Sequence, residues 1–272
     1  MAPSPARLHL FNGSGSPSID FAELAAYARR LLGGGEAILH EDFIHYCLDA
    51  CGPSGAEQVK AGVAAMLAEA RVTDPGRKAE AIGQPRAVVE YERRMLDKEP
   101  PRPVGVLYDG FDLCAAYSLL LSNSRISPDD LVVVVTNILF GTIEDDDARY
   151  HARVAVFGSP CVVSTTGMVE APARPRDYYV EKQLGLAGPP ALEDTPERWL
   201  RTDDPRITEV LKGYLAQAVM YHATGEPFCD DRGCRLFNAH WQEDLLFAQL
   251  GSEMEFCERH ERMFDALFPG RR

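Results

Sequence analysis

Apolar residues recur along the chain in two patterns, one typical of strands and one typical of helices. Short apolar or alternating runs predict strands at 7–11, 36–43, 104–108, 131–136, 150–157 and 161–166. Apolar residues spaced by three and four predict helices from residue 19 to the glycines at 33–35, through most of 44–96, and over 111–121, 207–223, 238–250 and 253–268. Strands and helices that interleave before a helical end predict an α/β or α+β fold with a twisted mixed sheet.

The chain is interpreted as one domain, because strand signals resume directly after its clearest break. That break is the segment EPPRP at 99–103, whose composition is typical of a linker. We divide the domain into an N-terminal α/β part at 1–100, a sheet and long helix at 104–225, and a C-terminal segment at 226–268.

Composition and charge exclude several classes of protein. The 272 residues are 46% hydrophobic and 25% charged, which excludes fibrous and wholly disordered chains. Lys and Arg number 28 against 41 Asp and Glu, so the net charge is −13, and this argues against nucleic acids and anionic membranes as partners. Apolar runs such as 131–135 are too short to cross a bilayer, and the N-terminus lacks the pattern of a secretory signal. We therefore expect a cytoplasmic protein.

Cysteine usage indicates a metal site near the C-terminus. The seven cysteines are odd in number and unevenly spaced, which favours free thiols and metal ligands over disulfides. Cys229 and Cys234 form one close pair, and Cys257 and His260 form another 22 residues later. Structural zinc prefers four thiolate and imidazole ligands, so the spacing predicts one zinc ion held by these four residues. The alternative is a set of unrelated thiols and a surface histidine.

The predicted helix over 207–223 carries His222 on its apolar face, in line with Leu211, Leu215 and Ala218. A single histidine on an apolar face is more often a hydrogen-bonded core residue than a metal ligand. Periodicity alone therefore gives His222 no catalytic role.

The block AVMYHATGEPFC at 218–229, with Cys234 and the distal Cys/His pair, resembles the archaemetzincins. These are zinc metallopeptidases whose pattern is HExxHxxGxxHC, then x4-C-x-M, then a distal CxxC. The matching positions are His222, Gly225, Cys229 and Cys234. The segment at 151–168 also resembles the edge-strand region of that family. The resemblance covers roughly residues 104–264 and implies a single metzincin-like domain with an active-site-type helix.

Four positions depart from that pattern in ways that bear on catalysis, and a fifth, His260, replaces the second cysteine of the distal pair, which zinc accepts readily. Ala218 stands at the first ligand histidine, Val219 at the catalytic glutamate, Phe228 at the third histidine and Leu236 at the Met-turn methionine. In an active zincin, two helix histidines hold the ion and the glutamate acts as general base on the zinc-bound water. The side chains of alanine and valine can neither bind zinc nor accept a proton. The resemblance therefore implies a lost catalytic site beside a retained, cysteine-rich zinc site.

Three functions from different classes remain open. The first, which we favour, is a metallopeptidase-family protein that no longer hydrolyses peptides and binds a peptide or a protein partner in the former cleft, where Glu170 could meet a ligand. The second is an active zinc metallopeptidase with a rebuilt ligand set of His222, His240 and either Glu226 or Glu243. The third is a purely structural or regulatory zinc protein.

Three further motifs have simpler explanations. His45, Cys47 and Cys51 could bind a metal or form a redox pair, but a buried helix face explains their spacing better. The acidic run at 144–147 could bind a hard cation, although a solvated turn is the favoured interpretation. The glycines at 33–35 lack the Lys-Ser/Thr of a phosphate loop and are interpreted as a helix stop.

Overall fold

The computed structural model describes residues 7–76, 83–144, 147–176, 178–180 and 198–271. Backbone contacts divide the chain into two compact units. We call Pro5–Ser16 with Gly35–Gly167 the sheet unit, and Pro17–Gly34 with Met168–Arg272 the helical unit. The predicted α+β class with mixed sheets is confirmed.

Strands lie in the sheet unit and form two sheets. Their bounds are β1 (Arg7–Gly13), β2 (Glu36–His40), β3 (Leu107–Asp109), β4 (Leu131–Thr136), β5 (Leu139–Glu144), β6 (Asp147–Arg153), β7 (Ala155–Val156) and β8 (Cys161–Ser164). The larger sheet has the order β2-β1-β4-β8-β7 and is parallel except for its β7–β8 edge. The smaller has the order β3-β5-β6, with β3 and β5 parallel and β5 and β6 antiparallel.

Helices occur in both units. Their bounds are α1 (Phe21–Leu31), α2 (Phe43–Ala50), α3 (Gly52–Glu69), α4 (Arg86–Met95), α5 (Gly110–Ser122), α6 (Thr165–Glu170), α7 (Ile207–Thr224), α8 (Gln242–Leu246) and α9 (Glu258–Leu267), with a π turn at Phe247–Gly251. Within the described residues, no helix combines the length and apolarity needed to cross a membrane.

The core of the sheet unit lies around β4, whose six residues, LVVVVT, are all buried. A run of β-branched residues is typical of a strand that is covered on both faces. Phe11, Phe43 and Tyr117 are fully buried beside it. Their burial anchors α2 and α5 to the sheet through the hydrophobic effect.

The helical unit is organised around α7, against which α1 packs. The backbone N–H of Asp20, the N-cap of α1, donates to Thr208 Oγ1 at 3.0 Å. Lys212 Nζ lies 2.6 Å from a Glu23 oxygen and 2.5 Å from a Glu209 oxygen. These polar contacts fix the register of α1 on the first turns of α7.

Several elements differ from the prediction. The strand expected at 104–108 begins only at Leu107, and Val104 is 73% exposed. The helix expected from Asn238 begins at Gln242, so Asn238 does not cap it. The chain before it is extended because it pairs with Ala173, which donates to the His240 carbonyl at 2.8 Å and accepts from the Gln242 N–H at 2.9 Å. Strand β5 and helix α6 were not predicted.

Candidate metal centre

A tight loop after α7 carries Cys229 and Cys234. Helix α7 ends at Gly225, whose φ of +82° lies in the left-handed region that glycine adopts without strain. The Cys229 N–H donates to the Leu236 carbonyl at 2.9 Å, and the Cys234 N–H donates to the Asp231 carbonyl at 3.0 Å. The Asp231 N–H also donates to Cys229 Sγ at 3.3 Å. The loop is therefore held by its own backbone.

The start of α9 carries the other two side chains. Cys257 is the N-cap residue and has an extended backbone, and His260 lies in the first turn. A spacing of three places both side chains on one side of the helix. His260 is 1% exposed and Cys257 is half-buried. His260 Nδ1 lies 3.1 Å from Cys257 Sγ.

These four side chains converge, and we call them the Cys3His group: Cys229, Cys234, Cys257 and His260. Their ligand atoms all lie within 4.8 Å of one another. The Sγ atoms of Cys229 and Cys257 are 3.8 Å apart, and Cys234 Sγ lies 3.7 Å from His260 Nδ1. All seven cysteines are free thiols. The structure thus brings together the residues that the sequence spacing singled out, and the group could hold a metal ion.

Burial sets the protonation state of the metal-free group. It raises the pKa of the Cys229 thiol and raises that of Cys234 to about 12. It lowers the pKa of His260, and the charge of Arg259 acts in the same direction. Imidazole coordinates metals in its neutral form, whereas a thiol must first lose its proton. Metal binding to this group is therefore expected to release protons.

Aromatic side chains pack around α9, the helix that carries His260. The Phe264 ring, on α9, lies 4.5 Å from Phe256 and 6.3 Å from Phe268 between ring centroids. The guanidinium of Arg271 lies over the first two of these rings, at 4.8 Å from Phe256 and 4.9 Å from Phe264. All three rings are at most 5% exposed. This packing fixes the helix that carries His260.

Three of the positions that the resemblance relates to catalysis are closed to solvent. Ala218 and Val219 are fully buried in α7, and Leu236 is also fully buried. His222 is half-buried near the end of the helix, and Phe228 is 43% exposed. Apart from His222, these side chains offer neither a metal ligand nor a proton acceptor.

Residues of the alternative, rebuilt ligand set lie outside the Cys3His group. His240 and Glu226 are exposed. Glu243 is exposed and pairs with Arg198 at 3.2 Å. Over the described ranges, the Cys3His group is the one cluster of three or more Cys, His, Asp or Glu side chains that could hold a metal. A catalytic zinc at His222 and His240 stays a prediction.

The structure also shows where the remaining sequence candidates lie. On α2, Cys47 is fully buried, which raises its pKa to about 12, and its carbonyl accepts from Cys51 Sγ at 3.2 Å. His45 Nδ1 lies 3.2 Å from Asp42. Gly33 and Gly34 have positive φ after α1, as expected of a helix stop. Glu170 is exposed at the end of α6. The acidic run at 144–147 includes residues 145 and 146, which lie outside the described residues.

Sequence analysis missed the buried charges of the sheet unit. Arg102 donates two hydrogen bonds to Asp42, at 2.9 and 3.0 Å, and both residues are 6% exposed. Glu92, 1% exposed, accepts from Tyr108 and from Arg71 at 3.1 Å. Arg102 lies in the segment EPPRP, whose composition predicts an exposed linker. The local signal for this pair is Asp42, a residue type that is typical of a helix N-cap. Nothing in the hydrophobic pattern indicates that Arg102 is its partner.

Comparison with known proteins identifies a family. A model of the probable metallopeptidase family DUF6775 matches residues 4–267, almost the whole chain. Neither a search of curated proteins nor a search of solved structures found a match. This chain therefore belongs to the probable metallopeptidase family DUF6775.

Proposed function

We propose that this protein is an archaemetzincin-like member of its family that binds one structural zinc ion and no longer hydrolyses peptides. The observation that carries the proposal is the convergence of four ligand atoms within 4.8 Å, in a chain whose motif helix has Ala218 and Val219 at the catalytic positions. Membership of a metallopeptidase family supports the peptidase ancestry. The retained site would then stabilise the fold and perform no chemistry.

Zinc fits this donor set in number, kind and spacing. Tetrahedral zinc, with Zn–S bonds of about 2.3 Å and Zn–N bonds of about 2.0 Å, places sulfurs about 3.8 Å apart and sulfur about 3.5 Å from nitrogen. The 3.8 Å between Cys229 and Cys257 and the 3.7 Å between Cys234 and His260 are close to those values, and the 3.1 Å between Cys257 and His260 is shorter than the tetrahedral one. Four protein ligands leave no position for water or substrate, which is the arrangement of a structural site.

The bound ion would join the loop after α7 to the start of α9. The elements between these two points are short, since α8 and the π turn have five residues each. Helices this short have little stability of their own in water. The free energy of zinc binding would therefore be coupled to the folding of the C-terminal segment.

Loss of hydrolysis is supported by the residues of the motif helix. A zincin needs two helix histidines to hold the ion and a glutamate to take a proton from the bound water. At those positions Ala218 and Val219 are fully buried and apolar. Of the three ligand histidines of the motif, this chain keeps His222, and a single imidazole does not hold a divalent cation against water.

We propose peptide or partner binding as the role that remains to the former cleft. Exposed apolar side chains support it: Phe228, at the third-histidine position, is 43% exposed, and Trp241 is 51% exposed. A contiguous exposed apolar patch is typical of an interaction site, so the proposal requires that these two side chains belong to one patch. Phe228→Ala should weaken the binding of fluorescent peptides from a mixed library, and Leu39→Ala, at an exposed position of β2, should not.

A hydrolysis assay tests the proposal. The zinc-loaded protein should cleave no member of a broad peptide library above background, and added zinc should not change this. Cleavage that His222→Ala abolishes would contradict the proposal and favour the rebuilt site. The His222→Ala protein should keep its zinc, because His222 is not part of the Cys3His group.

A further inference from the structure

Exposed apolar side chains are concentrated in the segment 226–258 of the helical unit. Ten large apolar side chains of the described residues are exposed, and five of them lie in this short part of the chain: Phe228, Trp241, Phe247, Leu250 and Met254. Exposed apolar residues that are scattered singly are normal on a protein surface, whereas a contiguous group is typical of an interaction site. The question is therefore which of these five side chains are neighbours.

Phe247, Leu250 and Met254 form one group, which we call the apolar face. Phe247 and Leu250 lie on the solvent side of the π turn, because Ala248 and Gln249 between them are buried. Their exposed fractions are 39% and 38%. Met254 follows in the loop before α9 and is 41% exposed.

The loop at 229–234 joins Phe247 to Met254. The guanidinium of Arg232 lies over the Phe247 ring, at 4.7 Å from its centroid. At the next residue, Gly233, a Cβ would come within 2.6 Å of the Met254 methyl carbon. Consecutive residues of one loop therefore touch both apolar side chains, so the apolar face is contiguous.

Acidic side chains surround the apolar face. The segment 226–258 contains eight Asp and Glu residues against two arginines, a net charge of −6. Three of its carboxylates are exposed and, in the described part of the chain, form no ion pair; we call them the rim carboxylates: Asp230, Asp231 and Glu253. A Cβ on Gly233 would lie 3.5 Å from Asp231 Oδ1 as well as beside Met254, so this carboxylate borders the face.

This charge limits what can cover the apolar face. Arg232, the cation that touches the face, is paired with Asp244 at 2.6 Å, so the remaining charge is negative. Nucleic acids and anionic bilayers would be repelled. A second copy in a symmetric dimer would place the same carboxylates opposite one another, which is unfavourable. A positively charged partner would instead be attracted.

We propose that the apolar face binds a basic amphipathic helix of a partner protein. The face comes from a turn and a loop and presents side chains, so it matches a helix with apolar residues three and four positions apart. Burial of those residues supplies affinity, while Lys and Arg beside them meet the rim carboxylates and select against acidic segments. This inference goes beyond the proposed function and does not depend on whether the protein hydrolyses peptides.

An amphipathic peptide of leucine and lysine, about 14 residues long, is the probe, and NMR of the ¹⁵N-labelled full chain is the measurement. Saturable shifts should be concentrated at the amides of 230–233 and 247–254 and absent from β4. The same peptide with glutamate for lysine, or with serine for leucine, should bind about tenfold more weakly or worse. Added salt should also weaken binding, because it screens the rim carboxylates.

An apolar substitution tests whether the face itself binds the peptide. Phe247→Ser should weaken binding of the lysine peptide by about tenfold or more, because it removes a central apolar contact. Phe111→Ser is the matched control, since Phe111 is a 63% exposed phenylalanine on α5 of the sheet unit, and it should leave affinity unchanged. Leu250→Ser replaces Phe247→Ser if that variant does not fold.

A charge substitution tests the selection of basic segments. Asp230→Asn combined with Glu253→Gln should weaken binding by about tenfold at low salt and have little effect at high salt. Glu69→Gln, at an exposed carboxylate of α3 in the sheet unit, is the control and should not alter affinity.

Four results would overturn the proposal. The first is the absence of saturable binding of the lysine peptide, and the second is equal binding of the lysine and glutamate peptides. The third is unchanged affinity in a folded Phe247→Ser or Leu250→Ser protein. The fourth is a dimer in sedimentation experiments that Phe247→Ser dissociates, because a second copy of this chain would then cover the face.

Discussion

His260 contributes the nitrogen atom of the Cys3His group, which lies 3.1 Å from Cys257 Sγ and 3.7 Å from Cys234 Sγ. It is 1% exposed, so its loss cannot be compensated simply by water. At the residue scale, the account depends on this side chain being a ligand and not merely a packed aromatic ring. The two roles predict different responses to substitution.

His260→Ala should lower the free energy of unfolding by more than about 2 kcal/mol, because it removes a metal ligand and leaves a cavity. His260→Cys should recover most of this loss, since zinc accepts four thiolates. The measurement is urea unfolding with and without a chelator. His240→Ala, at an exposed histidine, is the control and should behave as wild type. Equal stability of all variants would contradict a ligand role for His260.

A pair of histidines in the sheet unit, His9 and His40, makes stability depend on pH. His9 Nδ1 lies 2.8 Å from His40 Nε2, and His9 Nε2 lies 3.3 Å from Asp130. Both contacts are hydrogen bonds if His9 donates to Asp130 and accepts from a neutral His40. Burial lowers the pKa of His9, and burial together with the neighbouring His9 lowers that of His40 to about 4. Each ring is therefore neutral in the folded state at pH 7.

Acidification should accordingly destabilise the protein between pH 6.5 and about 4. Above pH 6.5 both states hold neutral imidazoles; below it the unfolded state takes up protons first, so stability falls with pH. For the half-buried His40 we expect about 1–2 kcal/mol after allowing for solvent screening. His40→Phe keeps the stack on Phe11 and removes one titrating group. Between pH 6.5 and about 4, the melting temperature of this variant should depend less on pH than that of the wild type. An unchanged dependence would contradict the assignment.

At the scale of single elements, α7 is the helix on which the proposed loss of hydrolysis depends. Most of its 18 residues are buried, and Ala218 and Val219 have no exposed surface. An active zincin would present a carboxylate from the second of these positions to a water-filled cleft. Here that position belongs to the apolar core of the helical unit.

Val219→Glu, which restores the residue type of the zincin pattern, should therefore destabilise the protein by more than about 3 kcal/mol. The reason is the burial of an unpaired carboxylate. Val219→Ala is the matched control, because it creates a small cavity without a charge and should cost about 1–2 kcal/mol. Denaturant midpoints measure both. Equal stability of the two variants would mean that this helix face is open to solvent.

Elements with strong periodicity were predictable from sequence, and those formed by tertiary contacts were not. The strand at β4 and the helices α5 and α7 follow from their apolar residues alone. Helix α6 has the sequence TTGMVE, which is poor in helix formers. It forms where Thr165 and Thr166 donate to the carbonyls of Thr136 and Asn137, and no local pattern indicates these bonds.

The candidate site was predictable for a similar reason. Cysteine and histidine are rare residues, so the spacing of the four ligand residues along the chain was enough to predict the Cys3His group. The buried pair of Arg102 and Asp42 had no such signal, because the two residues are 60 positions apart along the chain.

At the scale of the whole molecule, metal removal should act on the two units unequally. The C-terminal part of the helical unit has short helices and would depend on the ion, whereas the sheet unit has its own core around β4. Chelation should therefore speed hydrogen exchange in 226–268 well before it affects the amides of β1 and β4. Zinc should restore protection, and Cys234→Ser should mimic the chelated state. Simultaneous exchange of both regions would contradict a local role for the metal.

X-ray absorption at the zinc edge, combined with metal content per chain, tests the central claim most directly. The account predicts one zinc ion per chain, coordinated by three sulfurs and one nitrogen, with no oxygen ligand. Two ions per chain, a shell dominated by nitrogen and oxygen, or protein purified in the presence of zinc that retains no metal would each contradict it.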